Sequence, residues 1–115
     1  MVVAVAKKPV GVDVEVVNNE RFGKFQPERI LSSEELKELE KLSSNELNRL
    51  WTVKEAVFKR QAGEAFLPSK INTTNEKYVT KLLKSGEECF YLTVASDDCH
   101  FAKFHIDEDL ILEDI

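Results

Sequence analysis

The sequence has no apolar run approaching the roughly 20 residues needed to span a bilayer, so a membrane-spanning helix is not expected. Its opening, MVVAVAKKP, has too short an apolar part for a secretory leader, and its charges fall on the wrong side of that part. Both observations point to a cytoplasmic protein. Cysteine is scarce. Cys89 and Cys99 belong neither to a Cys-x-x-Cys pattern nor to a Cys/His pattern with zinc spacing, so free thiols in a reducing compartment are expected. Positive charge is also short, with 16 Lys and Arg against 21 Asp and Glu. The resulting net charge of −5 argues against a nucleic-acid backbone as the main partner, since such proteins carry a basic face. It leaves room for a local basic patch that holds a phosphate. There is no internal repeat and no low-complexity segment.

What is present suits one compact domain over residues 1–115. A chain of this length has a modest core, and oligomerisation would extend it. Residues 2–6 are apolar and are broken by Lys7-Lys8-Pro9. Residues 10–17 alternate, with Val10, Val12, Val14 and Val16 on one face and Gly11, Asp13 and Glu15 on the other. That is the period of a half-buried strand, and a hairpin over residues 2–17 is expected. Residues 18–26 read as loop, tucked down by Phe22 and Phe25, and Pro27 opens a short helical turn. Ser32 with Glu35, and Ser43 with Glu46, have the spacing of capping boxes. The first precedes a stripe of Leu36, Leu39 and Leu42. The second precedes a long helix expected to stop at Gly63. Strands are expected at 67–72, 78–83, 89–95 and 101–106, with turn chemistry at 72–75, 85–86 and 96–98. The acidic tail, 107–115, would fray or pair as an edge. The predicted fold class is α+β, an antiparallel sheet packed against a long helix.

Within that helix, LWTVKEAVFK (residues 50–59) places charges among core-type residues. On a wheel of about 100° per residue, Leu47, Leu50, Trp51, Val57 and Phe58 form one apolar arc, and Lys54 falls inside it. Glu55 and Lys59 lie on the arc's edge, one turn apart. As a surface pair they would contribute only about 0.2–0.5 kcal/mol. Lys54 either snorkels to water or faces a cleft that holds an anion. Asp13 and Glu15 share one strand face, roughly 6.5–7 Å apart. Adjacent carboxylates repel unless something cationic lies between them. They are either a solvated strand face or part of a hard-cation site completed by Glu55. Magnesium suits such a site because it is held by a few carboxylates, waters and substrate phosphate.

GVDVE (11–15) followed about forty residues later by WTVKEAVFK (51–59) resembles the 4'-phosphopantetheinyl transferases. Their pattern pairs a G-[IV]-D-[IV]-E strand with a [WF]-[ST]-x-K-E-[AS]-x-x-K helix. The likeness covers about residues 2–75, including the GEAFLP segment after the helix. It implies transfer of the phosphopantetheine arm of coenzyme A to a serine of an apo acyl or peptidyl carrier protein, with release of 3',5'-bisphosphoadenosine. The carrier would belong to fatty-acid, polyketide, peptide-synthetase or another biosynthesis. By the same resemblance Asp13, Glu15 and Glu55 would bind Mg2+, and Lys54 and Lys59 would meet coenzyme A phosphates. Glu55 and Lys54 would then be catalytic. Glu35 would be the glutamate that assists deprotonation of the carrier serine, although it is also the capping-box residue.

The chain resembles only the second lobe of the two-lobed members. It begins where their Ser-His motif has just ended, and its nearest stretch, LTVASDDCHF (92–101), has His100 followed by Phe. The single-lobe carrier-protein synthases are trimers with the coenzyme at subunit interfaces. Single-lobe length with two-lobe motifs therefore leads to an expected homo-oligomer whose site lies at the interface. The alternative is a non-catalytic or partial lobe that binds metal or phosphate and needs a partner chain.

Overall fold

The computed structural model describes residues 9–18, 20–22 and 26–97, together with the backbone of 2–3, 104–106 and 110–112. The chain is α+β. Strand β1 (Val2–Val3) and strand β2 (Val10–Val16) are followed by two single-turn helices, α1 (Pro27–Ile30) and α2 (Ser33–Leu36). A 3-10 turn at Leu39–Lys41 leads to the long helix α3 (Ser44–Gln61). Strands β3 (Tyr78–Ser85), β4 (Glu88–Ser96), β5 (Phe104–Ile106) and β6 (Leu110–Leu112) complete the order. The main sheet is antiparallel in the order β2-β4-β3, and a second sheet runs β1-β5-β6. No described helix is long and apolar enough to cross a membrane.

Two sequence expectations change here. The apolar run at residues 2–3 does not form a hairpin with β2. Val2 pairs with Ile106 of β5, whereas Val10 to Val16 pair with Ser96 to Phe90 of β4. A two-residue strand has little pairing information of its own, and β4 offers β2 a seven-residue antiparallel partner. The expected strand at 67–72 is instead a 3-10 turn at Pro68–Lys70, followed by another at Thr73–Asn75. Pro68 supplies no ladder N–H, and the carbonyls of Pro68 and Ile71 are turned inward to the Lys54 ammonium.

The helix boundaries follow their caps. Ser32 accepts from the Glu35 backbone N–H while Glu35 accepts from the Ser32 N–H, a complete capping box. Ser43 caps α3 through the Glu46 N–H. The stop is one residue earlier than expected: Ala62, not Gly63, takes the left-handed conformation, with φ 52°. Gly86, at φ +61°, supplies the positive φ that the two-residue turn between β3 and β4 requires.

Helix α3 lies between two layers. One group of its side chains, Val53, Ala56 and Val57, packs with Ile71 of the turn region and Ala95 of β4. Another, Leu47 and Leu50, packs with Phe22 and Leu31, and Trp51, Leu36, Leu39 and Leu42 lie against that cluster. Phe22 thus holds the 18–26 loop down as expected, while Phe25 lies outside the described residues. The other face of the main sheet buries Leu92 and Val94, with Val10, Val12 and Leu83 against them. Val14 and Val16 remain 38% and 41% exposed on that face.

The register fixes which side of β2 meets the helix. Gly11, Asp13 and Glu15 face α3, opposite Ala95, Thr93 and Tyr91 of β4. At Gly11 the approach is so close that an added Cβ would lie 1.8 Å from the Ala56 carbonyl oxygen and 2.4 Å from the Arg60 nitrogen. Both neighbours are backbone and cannot step aside as a side chain would. Gly11→Ala is therefore expected to lower stability by about 1–3 kcal/mol through overpacking, read from the urea midpoint. An unchanged midpoint would show that strand and helix are not locked at this distance.

Candidate active site

The close approach at Gly11 brings the next residues of its strand face against the C-terminal half of α3. Asp13 is 7% exposed, and its Oδ1 accepts from Lys59 Nζ at 2.8 Å. Its Oδ2 is buried with no hydrogen-bond partner. A desolvated carboxylate oxygen without a donor is costly and calls for an explanation. Glu15, two residues on, lies 3.6 Å from the Arg21 guanidinium, and Arg21 also donates to the Val16 carbonyl. Glu55 completes the acidic group from α3. It is near enough to Glu15 and Lys59 for both charges to act on it.

Each shift in this group has a local cause. Burial pushes the Asp13 carboxyl up to about 7 from 3.8, against the pull of Lys59 and with help from Glu15. Burial also raises Glu55, opposed by Lys59 and reinforced by Glu15. Glu55 and Lys59, one helical turn apart, are thus not an isolated surface pair: the ammonium of Lys59 bonds across to the strand. The Lys59 side chain is 50% exposed, so its other donors face solvent.

The loop after β2 is held by α3 as well. Asn48 is buried, accepts from the Asn18 backbone N–H at 3.2 Å and donates to the Asn18 carbonyl at 3.2 Å. Nothing in the motif pattern singled out Asn48 or Arg21. The available signal was an amide on a buried helix face, since Asn is a weak helix former.

Lys54 and Glu35 are placed differently from the sequence expectation. Lys54 is 0% exposed and faces away from the carboxylate group. Its ammonium lies 2.7 Å from Glu35 Oε1, donates to the Pro68 carbonyl at 2.8 Å, and donates to the Ile71 carbonyl. An ammonium has three donors, and in this structure all three are taken within the protein. Glu35 is also closed. Oε1 accepts from the Ser32 backbone and Lys54, and Oε2 accepts from the Thr73 backbone N–H and hydroxyl. Burial works to raise its pKa, but the hydrogen bonds from Lys54, Thr73 and Ser32 outweigh burial and bring it below 4.5. A carboxylate so engaged has little basicity and no free lone pair for a serine proton. Lys54 sits in the apolar arc as the wheel indicated. That arc, however, faces the 31–36 and 66–73 segments and not an open cleft.

The donor set around Asp13 consists of carboxylate oxygens, which suits a hard divalent cation. The orphaned, buried Oδ2 fits that chemistry. Among the described residues no three His, Cys, Asp or Glu side chains are already gathered into a cation cage. In this structure the Lys59 ammonium is the cation on Asp13.

An α+β lobe of this kind sets a strand-borne carboxylate pair opposite a helix-borne Glu and Lys. A family model described as the 4'-phosphopantetheinyl transferase superfamily matches residues 9–106, and the chain belongs to that superfamily. Searches of curated proteins and of solved structures found no match.

The pKa shifts fix the sign of the pH dependence. Asp13 is raised on folding, so the folded state holds the extra proton between pH 3.8 and about 7. The stability it contributes is complete below pH 3.8 and is lost as pH rises through about 7. Glu55 has the same sign. Glu35 has the opposite sign, with stability present above pH 4.5 and lost in stronger acid. In chelator-treated buffer the urea midpoint is expected to be higher at about pH 5 than at about pH 8, and Asp13→Asn should flatten that difference. If the variant keeps the full difference, Asp13 is not its source.

Proposed function

We propose that the protein transfers the 4'-phosphopantetheine arm of coenzyme A to a serine of an apo carrier protein and releases 3',5'-bisphosphoadenosine. The observation that carries this reading is the meeting of Asp13, with its donorless Oδ2, with Lys59, Glu15 and Glu55 on one face. Membership of the superfamily supports it. Asp13, Glu15 and Glu55 would hold magnesium, which when bound supplies positive charge to the pyrophosphate and to the departing bisphosphoadenosine. Lys59, half open to solvent, exchanges Asp13 for a pyrophosphate oxygen and holds it as a point charge.

The carrier serine Oγ attacks the β-phosphorus in line. A bond forms between Oγ and phosphorus while the bond from phosphorus to the bridging oxygen breaks. The serine proton passes to a carboxylate oxygen of this group that magnesium would leave free, and Glu55, borne on the helix, is the residue assigned to it. Lys54 and Glu35 stand behind this site and touch no substrate in this reading.

The chain works as a single domain in the cytoplasm. It forms a homo-oligomer with the site at the subunit interface; the exposed Val14 and Val16 on the outer sheet face support self-association, though they lie on the face opposite Asp13 and Glu15. A second reading, a partial lobe completed by a different chain, is favoured by the closed Lys54, which leaves Lys59 as the motif lysine facing the cluster.

Incubation with coenzyme A, magnesium and a panel of apo carrier proteins tests the proposal. A carrier should gain the mass of one phosphopantetheine arm. No gain on any carrier, while coenzyme A still binds, would favour the partial lobe. Glu55→Gln is expected to reduce transfer by about 100-fold or more with an unchanged melting temperature. Survival of activity in that variant would remove Glu55 from the chemistry.

A further inference from the structure

Lys54 and Glu35 form the most enclosed ion pair among the described residues. It has four points of attachment. Glu35 belongs to α2, Ser32 caps that helix, Thr73 and the carbonyls of Pro68 and Ile71 belong to the segment after α3, and Lys54 belongs to α3 itself. The anchor is directional. An apolar side chain of similar volume would fill the same space while tolerating small helix rotations, because dispersion contacts have no preferred angle. Three charge-assisted hydrogen bonds on one ammonium do not tolerate them.

Lys54 precedes Glu55, and Lys59 follows one turn further along the same helix. A rotation of α3 by about 20° would sweep a side-chain tip some 6 Å from the axis through about 2 Å. Misplacement of about 1 Å at a reacting group is enough to cost about 100-fold in rate.

We propose that Lys54, clamped by Glu35, Pro68 and Ile71, is a positioning residue that sets the rotation of α3 and so aims Glu55 and Lys59 at Asp13 and Glu15. This rests on the transferase reading of that site. The pair acts through the helix, with no contact to the ligand. The Thr73 contacts make the 68–75 segment part of the same device, since Thr73 holds the Glu35 oxygen that Lys54 does not.

The test is the double variant Lys54→Met/Glu35→Gln in the full chain, which removes both buried charges together. It is expected to keep its melting temperature within a few degrees, to bind Mn2+ about tenfold more weakly by electron paramagnetic resonance titration, and to lose at least tenfold in kcat. A merely structural role would lower the melting temperature, and activity would return on cooling to where the variant is fully folded. Parental Mn2+ affinity and kcat in a folded double variant would overturn the proposal. If the double variant does not fold, Thr73→Val loosens Glu35 without removing a charge and should show the same losses at a two- to fivefold level. Unchanged values there would count equally against the proposal. If the parent protein neither binds Mn2+ nor transfers, the transferase reading has failed. The near-UV circular dichroism of Trp51 then decides the positioning question, because this lone tryptophan of the chain sits on α3 against Phe22 and Phe66. A changed Trp51 band in the double variant supports a rotated helix, and an identical band overturns it.

Discussion

The rest of the structure depends on the contact of β2 with α3 at Gly11. With no side chain at that position, strand backbone meets helix backbone at Ala56 and Arg60. Every polar group of the site is placed relative to that touching point. Two residues along a strand advance about 6.5–7 Å and one helical turn about 5.4 Å. The two ladders stay nearly in step: Gly11 lies against Ala56 and Arg60, Asp13 meets Lys59, and Glu15 comes within the electrostatic reach of Glu55. The carboxylates are therefore close because two backbones are close. Arg60 braces the same end of the helix, bonding Glu76 at 2.7 Å and Asp97 at 2.9 Å near the ends of β3 and β4.

The two lysine–carboxylate pairs of α3, Lys54–Glu35 and Lys59–Asp13, differ in character. Lys54–Glu35 is buried on both sides, with the donors of one and the oxygens of the other all engaged. Removing either partner alone would leave an unpaired buried charge and cost about 3–5 kcal/mol, although the intact pair adds little net stability over a well-packed apolar replacement. Such a pair is better explained by the geometry it enforces than by its energy. Lys59–Asp13 has the opposite character. One partner is half exposed, the other is buried with an oxygen left without a donor, and burial has raised its pKa to about 7. This pair is incompletely satisfied, and a cation or phosphate has something to gain by entering it.

The parts legible in the sequence were those whose signal is local. Alternation marked β2, the Ser32–Glu35 and Ser43–Glu46 spacings marked the helix starts, and Ser85-Gly86 marked the β3–β4 turn. The α+β class and the GVDVE and WTVKEAVFK motifs were legible together, and the family match agrees with them. What stayed hidden was set by partners distant in the chain. Val2–Val3 pair with residues a hundred positions away. Residues 68–73 give up a strand to supply carbonyls and a threonine to the buried pair. The placement of Lys54 and Glu35 was the least legible. A helical wheel identifies an apolar arc but not what covers it, and α3 has two covered sides. The arc of Leu47, Leu50 and Trp51 faces the 22–42 layer, while Val53, Ala56 and Val57 pack with Ile71 and with Ala95 of β4.

The small residues Gly11 and Ala56 also shape the packing around the helix. Ala56 and Gly11 bring the two backbones together, and the leucines, Trp51 and the aromatic contacts of Phe22 and Phe66 collect away from that point of contact. The enclosed Lys54 adds a directional restraint to this helix, one residue before Glu55, because an ammonium bonded to a carboxylate and two carbonyls tolerates little rotation.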